Sequence, residues 1–354
     1  LLDSLLAAQN IASFKEKVII KQYYLLRDYL KKYRDFEKSG NWKIIPTDPK
    51  KKILRPRDTS FIIPFIRERL VFTQDLASNN NSNLYDQSLY EAMISYKKRN
   101  SNKQDSLITA THIKEMNIPL QKRIEQIVVN MERCRWIPVS PENASYILVN
   151  IPEYRLHFFK DGKLFFESDV VVGKPMTKTV IFSGDMKYIV FSPYWYVPQS
   201  IINKEIKPGI ARNSNYLASH RMQWKGDNVR QKPGPANSLG LVKFIFPNSN
   251  NIYLHDSPSK PLFKEENRAF SHGCIRVAKP KELAISILEG DSNWTPEKIE
   301  TAMNKGTEQY YNLKKTIPVY IVYFTAWVND AGALNFRKDI YSRDNRLASM
   351  IIKK

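Results

Sequence analysis

The most informative stretch of this sequence is Ser271-His272-Gly273-Cys274-Ile275-Arg276. Cys274 is one of only two cysteines in the chain, and His272 and His255 both lie within twenty residues of it. A thiol needs a neighbouring base or positive charge to become a thiolate near neutral pH. Gly273 allows a positive φ or a close backbone approach, and we expect N–H groups around Gly273 and Cys274 to donate to a developing oxyanion. The stretch therefore predicts a cysteine nucleophile.

The residues before this stretch supply a candidate base. His255 follows the apolar and aromatic run Asn251-Ile252-Tyr253-Leu254, which is typical of a strand. Strand alternation places Tyr253 and His255 on one face and turns Asp256 away. We therefore expect a backbone carbonyl to orient the imidazole, and we leave Asp256 out of the catalytic group.

Composition narrows the class of protein. The chain has 354 residues, 42% of them hydrophobic, which suggests two or three units with real cores. It contains no run of eighteen apolar residues, so no spanning segment is predicted. The net charge of +20 indicates an anionic partner, but no nucleic-acid recognition motif accompanies it.

The chain does not begin with Met, and we expect its signal peptide or membrane anchor to lie outside this sequence. The second cysteine, Cys134, lies in a helical pattern and is expected to be buried and inert.

The first third of the chain has helical periodicity. Residues 1–57 are predicted to form a helical scaffold segment and a Pro-rich linker, and residues 58–118 a small helical module. The strongest helix pattern lies within 119–144, which we interpret as a bridging helix and linker. Its apolar residues recur at Ile124, Ile127, Val128 and Met131, which lie on one helix face.

From residue 145 the apolar period changes to that of strands. Residues 145–326 are predicted to be a mostly-β domain, with strands at 146–151, 155–159, 164–172, 188–191, 242–246 and 319–324, and a helix at 279–288. Lys160-Asp161-Gly162-Lys163 is a hairpin turn signal. Residues 203–240 lack strand periodicity and are interpreted as a functional insertion. Residues 327–354 form a C-terminal tail.

The motif and its flanks resemble the L,D-transpeptidase family, whose YkuD-type catalytic domain carries a His and, fewer than twenty residues later, Ser/Thr-His-Gly-Cys. The flanking matches favour the large multidomain Gram-negative subtype, and the resemblance runs from about Asp58 to Asp344. Residues 58–118 resemble a three-helix peptidoglycan-binding module, which either still binds glycan or is a degenerate spacer. One departure is Arg276, where many members have Asn. The flanking matches are Tyr253-Leu254-His255-Asp256-Ser257-Pro258, Arg268-Ala269-Phe270, Pro193-Tyr194-Trp195-Tyr196-Val197-Pro198 and Gly234-Pro235-Ala236-Asn237-Ser238-Leu239-Gly240.

The resemblance implies an α+β multidomain fold: a mostly-β YkuD-type catalytic domain whose 203–240 insertion caps the cleft, a helical scaffold and the small module. It implies Cys274 as the acylated nucleophile and His255 as its base and then acid. Tyr253 would donate its hydroxyl to the oxyanion or simply pack, and His272 would shape the site. Gly273 would act through its backbone. The substrate-binding candidates are Arg276, Ser271, Trp224, Tyr194 and Trp195.

Two of these assignments have open alternatives. Arg276 either holds a stem-peptide carboxylate in a bidentate fork or is a salt-bridged structural arginine. Trp224 either contacts the ligand or packs within the cap.

The implied reaction is 3→3 peptidoglycan cross-linking without metal or cofactor. The nucleophile releases D-Ala from a tetrapeptide donor, and a diamino-acid amine of a second stem accepts the acyl group. The resemblance also implies inhibition by carbapenems, a role in cell-wall biogenesis and cell shape, and a periplasmic or cell-envelope location.

Three other functions are alternatives to cross-linking. An L,D-carboxypeptidase would use the same nucleophile, with water resolving the acyl-enzyme. A non-catalytic peptidoglycan-binding wall protein would carry a broken motif, and this one is intact. A zinc site would use His255, His272 and Cys274, but their spacing is not that of a zinc motif.

Overall fold

The computed structural model describes residues 20–138 and 144–352. The chain divides into unit 1, Leu1–Val139 with Phe324–Lys354, and unit 2, Ser140–Tyr323. Residues 1–19 of the predicted scaffold segment, 139–143 of the predicted linker and the last two residues of the predicted tail lie outside the described residues. The fold is α+β, as predicted, with helices in the N-terminal region and a large sheet in unit 2.

Two long helices of unit 1 pack against each other, α1 (Lys21–Ser39) and α5 (Leu120–Cys134). Helix α1 ends at Gly40, whose left-handed φ of 69° lets its N–H donate to Glu37 O. Helix α5 is the helix predicted from periodicity, and its Ile124 and Ile127 are fully buried.

Three helices share a core in the small module: α2 (Ile63–Phe72), α3 (Gln87–Arg99) and α4 (Ala110–Met116). Asp86 caps α3 by accepting from Leu89 N at 3.0 Å, and it pairs with the buried Arg67 at 2.6 Å. The core extends back to Ile45 and Leu54, which the sequence analysis assigned to the linker. Leu54 belongs to an antiparallel pair of strands, β1 (Ile53–Leu54) with β2 (Ile108–Thr109), and the Ile45 backbone is hydrogen-bonded to the Asn117 side chain.

Unit 2 contains a nine-stranded sheet in the order β12-β5-β13-β11-β10-β6-β14-β3-β4. Because β4 also pairs with β5, the sheet closes on itself. The six predicted strands are all present. The strands of unit 2 are β3 (Tyr146–Asn150), β4 (Arg155–Lys160), β5 (Lys163–Gly173), β6 (Phe182–Phe191), β7 (Trp195–Tyr196), β8 (Met222–Lys225), β9 (Asn228–Gln231), β10 (Val242–Ile245), β11 (Leu254–His255), β12 (Ala269–Ser271), β13 (Ile275–Val277) and β14 (Gln309–Val322).

The β4–β5 hairpin turns where the sequence predicted. Lys160 pairs with Lys163, and the two residues between them have positive φ, 50° at Asp161 and 73° at Gly162. Those angles are typical of a type I′ turn, whose twist matches the flanking strands.

The insertion interpreted from its lack of strand periodicity contains regular secondary structure. Strands β7, β9 and β8 form a small sheet, and a helical run connects β7 to β8. A small apolar core holds this part, and we call residues 195–231 the cap. The core residues are Val197, Ile201, Ile202, Ile206, Met222 and Val229. The helical elements of unit 2 are two 3₁₀ helices (Ile151–Glu153 and Lys260–Lys264), α6 (Gln199–Ile201), a π-helical turn (Ile202–Ile206), α7 (Lys207–Arg212), α8 (Tyr216–Ser219), α9 (Pro280–Leu288), which was predicted, and α10 (Pro296–Asn304).

The chain returns to unit 1 after Tyr323, three residues before the boundary expected at 326. Strands β15 (Ala326–Val328) and β16 (Leu334–Phe336) pair, and α11 (Asp344–Ile351) contacts α5. Asp344 pairs with the buried Arg133 of α5 at 2.7 Å. The segment interpreted as a tail is therefore packed in unit 1. None of the helices in the described ranges is long and apolar enough to cross a membrane.

Candidate active site

Strand register brings the predicted site residues together. Strand β11 runs parallel to β13, with Leu254 opposite Ile275 and His255 opposite Arg276. Paired residues point to the same face of a sheet, as do residues two apart on one strand. Cys274, Arg276, Tyr253 and His255 therefore share one face. The predicted placement of Tyr253 beside His255 is confirmed, with ring centroids 5.7 Å apart.

The Cys274 thiol is partly exposed and hydrogen-bonded on two sides. Its Sγ donates to Asn251 O at 3.6 Å, and the Tyr253 side chain is also hydrogen-bonded to it. Burial raises the pKa of Cys274, and this outweighs the hydrogen bonds from Tyr253 and the charge of Arg276. Burial, and then Cys274 itself, raise the pKa of Tyr253, so its phenol remains protonated. The resting nucleophile is therefore a neutral thiol that needs a base.

His255 is suited to be that base. It is buried, and its Nδ1 donates to the backbone oxygen of Asp256, which leaves Nε2 unprotonated in the neutral ring. Burial, and then the charge of Arg276, lower the pKa of His255 to about 4. The ring is therefore neutral near pH 7. The backbone carbonyl expected to orient it is that of Asp256.

The Asp256 side chain serves the fold rather than the imidazole. Its carboxylate accepts from Leu241 N at 2.9 Å and Ser257 N at 2.7 Å, and pairs with Lys260 at 2.6 Å. It lies against Gly240, where an added Cβ would come within 2.3 Å of the carboxylate and φ is +64°. Both conditions require glycine at 240. This packing fixes the end of β11 and with it the Asp256 carbonyl.

The Ser271 hydroxyl is used inside the motif itself. Ser271 is buried, its Oγ donates to Cys274 O at 2.6 Å, and it accepts from Gly273 N at 3.1 Å. Two sequence-based assignments change as a result. Ser271 positions the turn rather than contacting substrate, because both hydroxyl partners lie within the motif. The Gly273 N–H is already paired and is not a free oxyanion donor.

The remaining backbone of the turn is held by the loop after β5. Gly273 has φ 123°, and its carbonyl accepts from Thr179 Oγ1 at 2.8 Å. Thr179 is fully buried and also accepts from Gly173 N at 2.9 Å. Among the residues that the structure describes, the Cys274 N–H has no acceptor. The Cys274 N–H is therefore available to an oxyanion, and the Tyr253 hydroxyl, which is hydrogen-bonded to the thiol, lies beside it.

Arg276 is a cation without an acidic partner. Its side chain is partly buried beside Cys274, and burial lowers its pKa. No carboxylate of the described segments lies within ion-pair distance of it, so the salt-bridged alternative is not observed there. A partly buried guanidinium without an anion favours recognition of a substrate carboxylate.

His272 points toward the cap. Its Nε2 lies 3.2 Å from Glu205 Oε1 in the π-helical turn, and both side chains are about half exposed. This contact joins the nucleophile motif to the cap, and the shaping role of His272 stays a prediction.

The three aromatic candidates belong to the cap or its base. Trp195 packs against the cap core, and Tyr194 lies under Arg230, with 4.2 Å from the guanidinium to the ring centroid. Trp224 is 48% exposed at the end of the β8–β9 hairpin and is not part of that core. Packing within the cap, the alternative weighed for Trp224, is therefore not observed.

Several site residues escaped the sequence analysis. Asn251 contributes only a carbonyl, and Thr179 lies ninety-five residues before Cys274, so neither has a local signal. Lys243 is buried opposite His255 on β10 and lies 3.8 Å from Glu308. The one signal for Lys243 in the sequence was its position as a charged residue among the apolar residues of β10. Across residues 20–138 and 144–352, no group of three or more His, Cys, Asp or Glu side chains is placed to hold a metal ion.

Comparison with known proteins identifies the domain that contains this site. Residues 144–319 match the family model of the YkuD L,D-transpeptidase catalytic domain. A Haemophilus influenzae protein named "Putative L,D-transpeptidase" is 33% identical over 256 residues, 66% of this chain and 51% of that protein. The chain thus spans about half the length of this curated relative.

Two solved structures are less similar to this chain in sequence than the Haemophilus influenzae protein is. An L,D-transpeptidase from Mycobacterium smegmatis is 11% identical, covering 50% of this chain and 58% of that one, with a TM-score of 0.28. L,D-transpeptidase 3 from Mycobacterium tuberculosis, in complex with a faropenem-derived adduct, is 15% identical, covering 51% and 60%, with a TM-score of 0.27.

Proposed function

Since residues 144–319 belong to the family of L,D-transpeptidase catalytic domains, we propose that this chain forms 3→3 peptidoglycan cross-links through an acyl-enzyme on Cys274. The observation that carries the proposal is the shared face of β11 and β13. It places a thiol, a neutral imidazole, a phenol donor and an unpaired guanidinium together.

The first half-reaction acylates the enzyme. His255 Nε2 takes the thiol proton while Cys274 Sγ attacks the carbonyl of the third residue of a tetrapeptide stem. Cys274 N–H and the Tyr253 hydroxyl donate to the oxyanion. The peptide bond to the terminal D-Ala then breaks, the proton passes from His255 to the leaving amine, and a thioester remains.

The second half-reaction transfers the acyl group. The side-chain amine of a second stem attacks the thioester, and His255 accepts its proton. The C–S bond breaks, the new amide forms, and the proton returns to the Cys274 thiolate. One peptide bond is exchanged for another, so no external energy source is needed. Arg276 holds a stem carboxylate throughout.

The decisive experiment is incubation with purified disaccharide-tetrapeptides, with products identified by mass spectrometry. Cross-linked dimers are expected from the wild type and none from Cys274→Ala or His255→Ala. Tripeptides alone would show that water is the acceptor and that the chain is an L,D-carboxypeptidase. Unchanged substrate with well-folded wild type would refute enzymatic function.

Carbapenem acylation gives an independent test of the nucleophile. We propose that carbapenems acylate Cys274, so intact mass should show one adduct on the wild type and none on Cys274→Ala. An adduct on the variant would contradict the assignment. Because the substrate is wall peptide, we also propose that the chain acts in the periplasm or cell envelope.

A further inference from the structure

A row of side chains connects the catalytic base with a remote strand. His255 on β11 is opposite Lys243 on β10, Lys243 is opposite Val190 on β6, and Val190 is opposite Tyr310 on β14. Cross-strand partners share a face of the sheet. Tyr310 therefore lies on the face that carries Cys274, and its side chain is 56% exposed.

Tyr310 belongs to a cluster of aromatic rings, which we call the tyrosine patch: the exposed Tyr196 and Tyr310 and the half-buried Tyr194. The ring centroids of Tyr194 and Tyr196 lie 6.3 Å apart, and Tyr310 is close enough to Tyr196 for electrostatic interaction. Tyr196 is 46% exposed. Glu308 secures the cluster by accepting from Tyr194 N at 2.9 Å. Exposed apolar side chains that lie together in a patch often mark a ligand-binding or interaction site.

Cations border the patch. The Arg230 guanidinium lies 4.2 Å from the centroid of Tyr194, and Lys225 Nζ lies 5.4 Å from that of Tyr196. Arg230 is opposite Tyr196 on the paired strands β9 and β7, so both cations are on the solvent side of the cap sheet. Rings beside cations suit a ligand that has apolar ring faces and carboxylate groups.

The position of the patch matches the geometry of the proposed substrate. Adjacent strands lie about 4.8 Å apart, so β6 and β14 are about 14 Å and 19 Å from β13 across the sheet. Three extended residues span about 10 Å. A stem whose third carbonyl lies at Cys274 and which crosses β11 and β10 therefore brings its amino end, and the sugar joined to it, toward β6 and β14.

We propose that the tyrosine patch is a saccharide subsite, which holds the amino-sugar ring to which the donor stem is attached. The inference rests on the proposed function and adds a specificity determinant to it: the enzyme recognises the stem together with its glycan. Tyr310 and Tyr196 stack against the sugar, and Arg230 and Lys225 face the carboxylates of the attached peptide.

Binding to the whole 354-residue chain carrying Cys274→Ala tests the proposal without turnover. Calorimetry would compare a disaccharide-tetrapeptide with the same tetrapeptide lacking sugar. The sugar is expected to tighten binding about five- to tenfold, the contribution of one or two aromatic contacts. Adding Tyr310→Ala should remove that gain and leave the affinity for the sugar-free peptide unchanged. Tyr310→Phe, which keeps the ring, should retain the gain.

The matched control is Phe165→Ala, an aromatic side chain of unit 2 on β5 that is 46% exposed. It should bind both peptides as Cys274→Ala alone does. Equal affinities for the two peptides, or a gain that survives Tyr310→Ala, would overturn the inference. Failure of the proposed function is a separate result, because wild-type chain would then convert neither peptide.

Discussion

Replacing Arg276 by glutamine separates a substrate-binding arginine from a structural one. The charge-assisted hydrogen bonds of a guanidinium to a carboxylate contribute about 1.5–3 kcal/mol. Their loss in Arg276→Gln should lower kcat/KM about 10- to 150-fold, since each 1.4 kcal/mol is tenfold. Breaking a buried ion pair would instead destabilise the fold by about 3–5 kcal/mol. Because Arg276 has no acidic partner among the described residues, we expect the free energy of unfolding to stay constant or rise.

The assay combines urea unfolding with initial rates on tetrapeptide across pH. The charge of Arg276 contributes to the low pKa of His255, so Arg276→Gln should move the acid limb of kcat/KM to higher pH. Arg276→Lys is the control, because lysine keeps the positive charge but lacks the two-pronged guanidinium geometry. It should lower kcat/KM without shifting the acid side of the pH profile. A donor with amidated carboxylates should react equally with wild type and Arg276→Gln. A loss of 3 kcal/mol or more in stability, with equal rate losses on both donors, would refute the reasoning.

The local contacts of Gly240, His157 and Ser271 each have a measurable effect on stability or rate. Gly240→Ala should lower the free energy of unfolding in urea by about 2–4 kcal/mol, because its Cβ would meet the Asp256 carboxylate at 2.3 Å. The control Gly226→Ala, at φ +59° and with open space around it, should lower it by only about 1 kcal/mol. Equal losses in the two variants would contradict this explanation. Burial lowers the pKa of His157, but hydrogen bonds to two glutamates outweigh it and raise this pKa to about 9, above its value in the unfolded chain. The protonated ring therefore stabilises the folded state fully below about pH 6.5, and this stabilisation is lost as the pH rises through 9. The free energy of unfolding of the wild type, measured at each pH, should fall by up to about 3 kcal/mol over that range, and that of His157→Gln should not. The same dependence on pH in both proteins would exclude the effect. Ser271→Ala leaves the buried Gly273 N–H unpaired, so stability should fall by about 1–3 kcal/mol and kcat should fall while KM is kept. Ser271→Thr should preserve both, and a KM effect alone would indicate substrate contact.

The tyrosine patch and Arg276 point to one substrate lying across the sheet. Arg276 and Cys274 are at one end of the face, and Tyr310 is four strands away. A stem bound along this face would be held at its carboxylate and at its sugar, with the attacked carbonyl near the arginine. Two distant contacts fix orientation better than either alone, which is how remote binding energy assists reaction at the scissile bond.

Local sequence determined the elements of this protein and the chemistry of its motif. Alternating and β-branched residues gave the strands, Asp161-Gly162 gave a hairpin, and the alternation at Tyr253 and His255 placed two functional side chains on one face. Periodicity predicts such features because it depends on neighbours in the chain, which strand pleating and helix pitch arrange in a fixed way.

Tertiary structure alone decided which of these side chains meet. The parallel pairing of β11 with β13 places Arg276 beside His255, and the loop after β5 fixes Gly273 through Thr179. The hydroxyl of Ser271 was assigned to substrate by sequence and is used within the turn, and the segment after Tyr323 packs with the N-terminal helices. Hydrogen-bond partners and the absence of a counter-ion depend on residues far apart in the chain. No local sequence pattern encodes these contacts, so they are known only from the folded sheet.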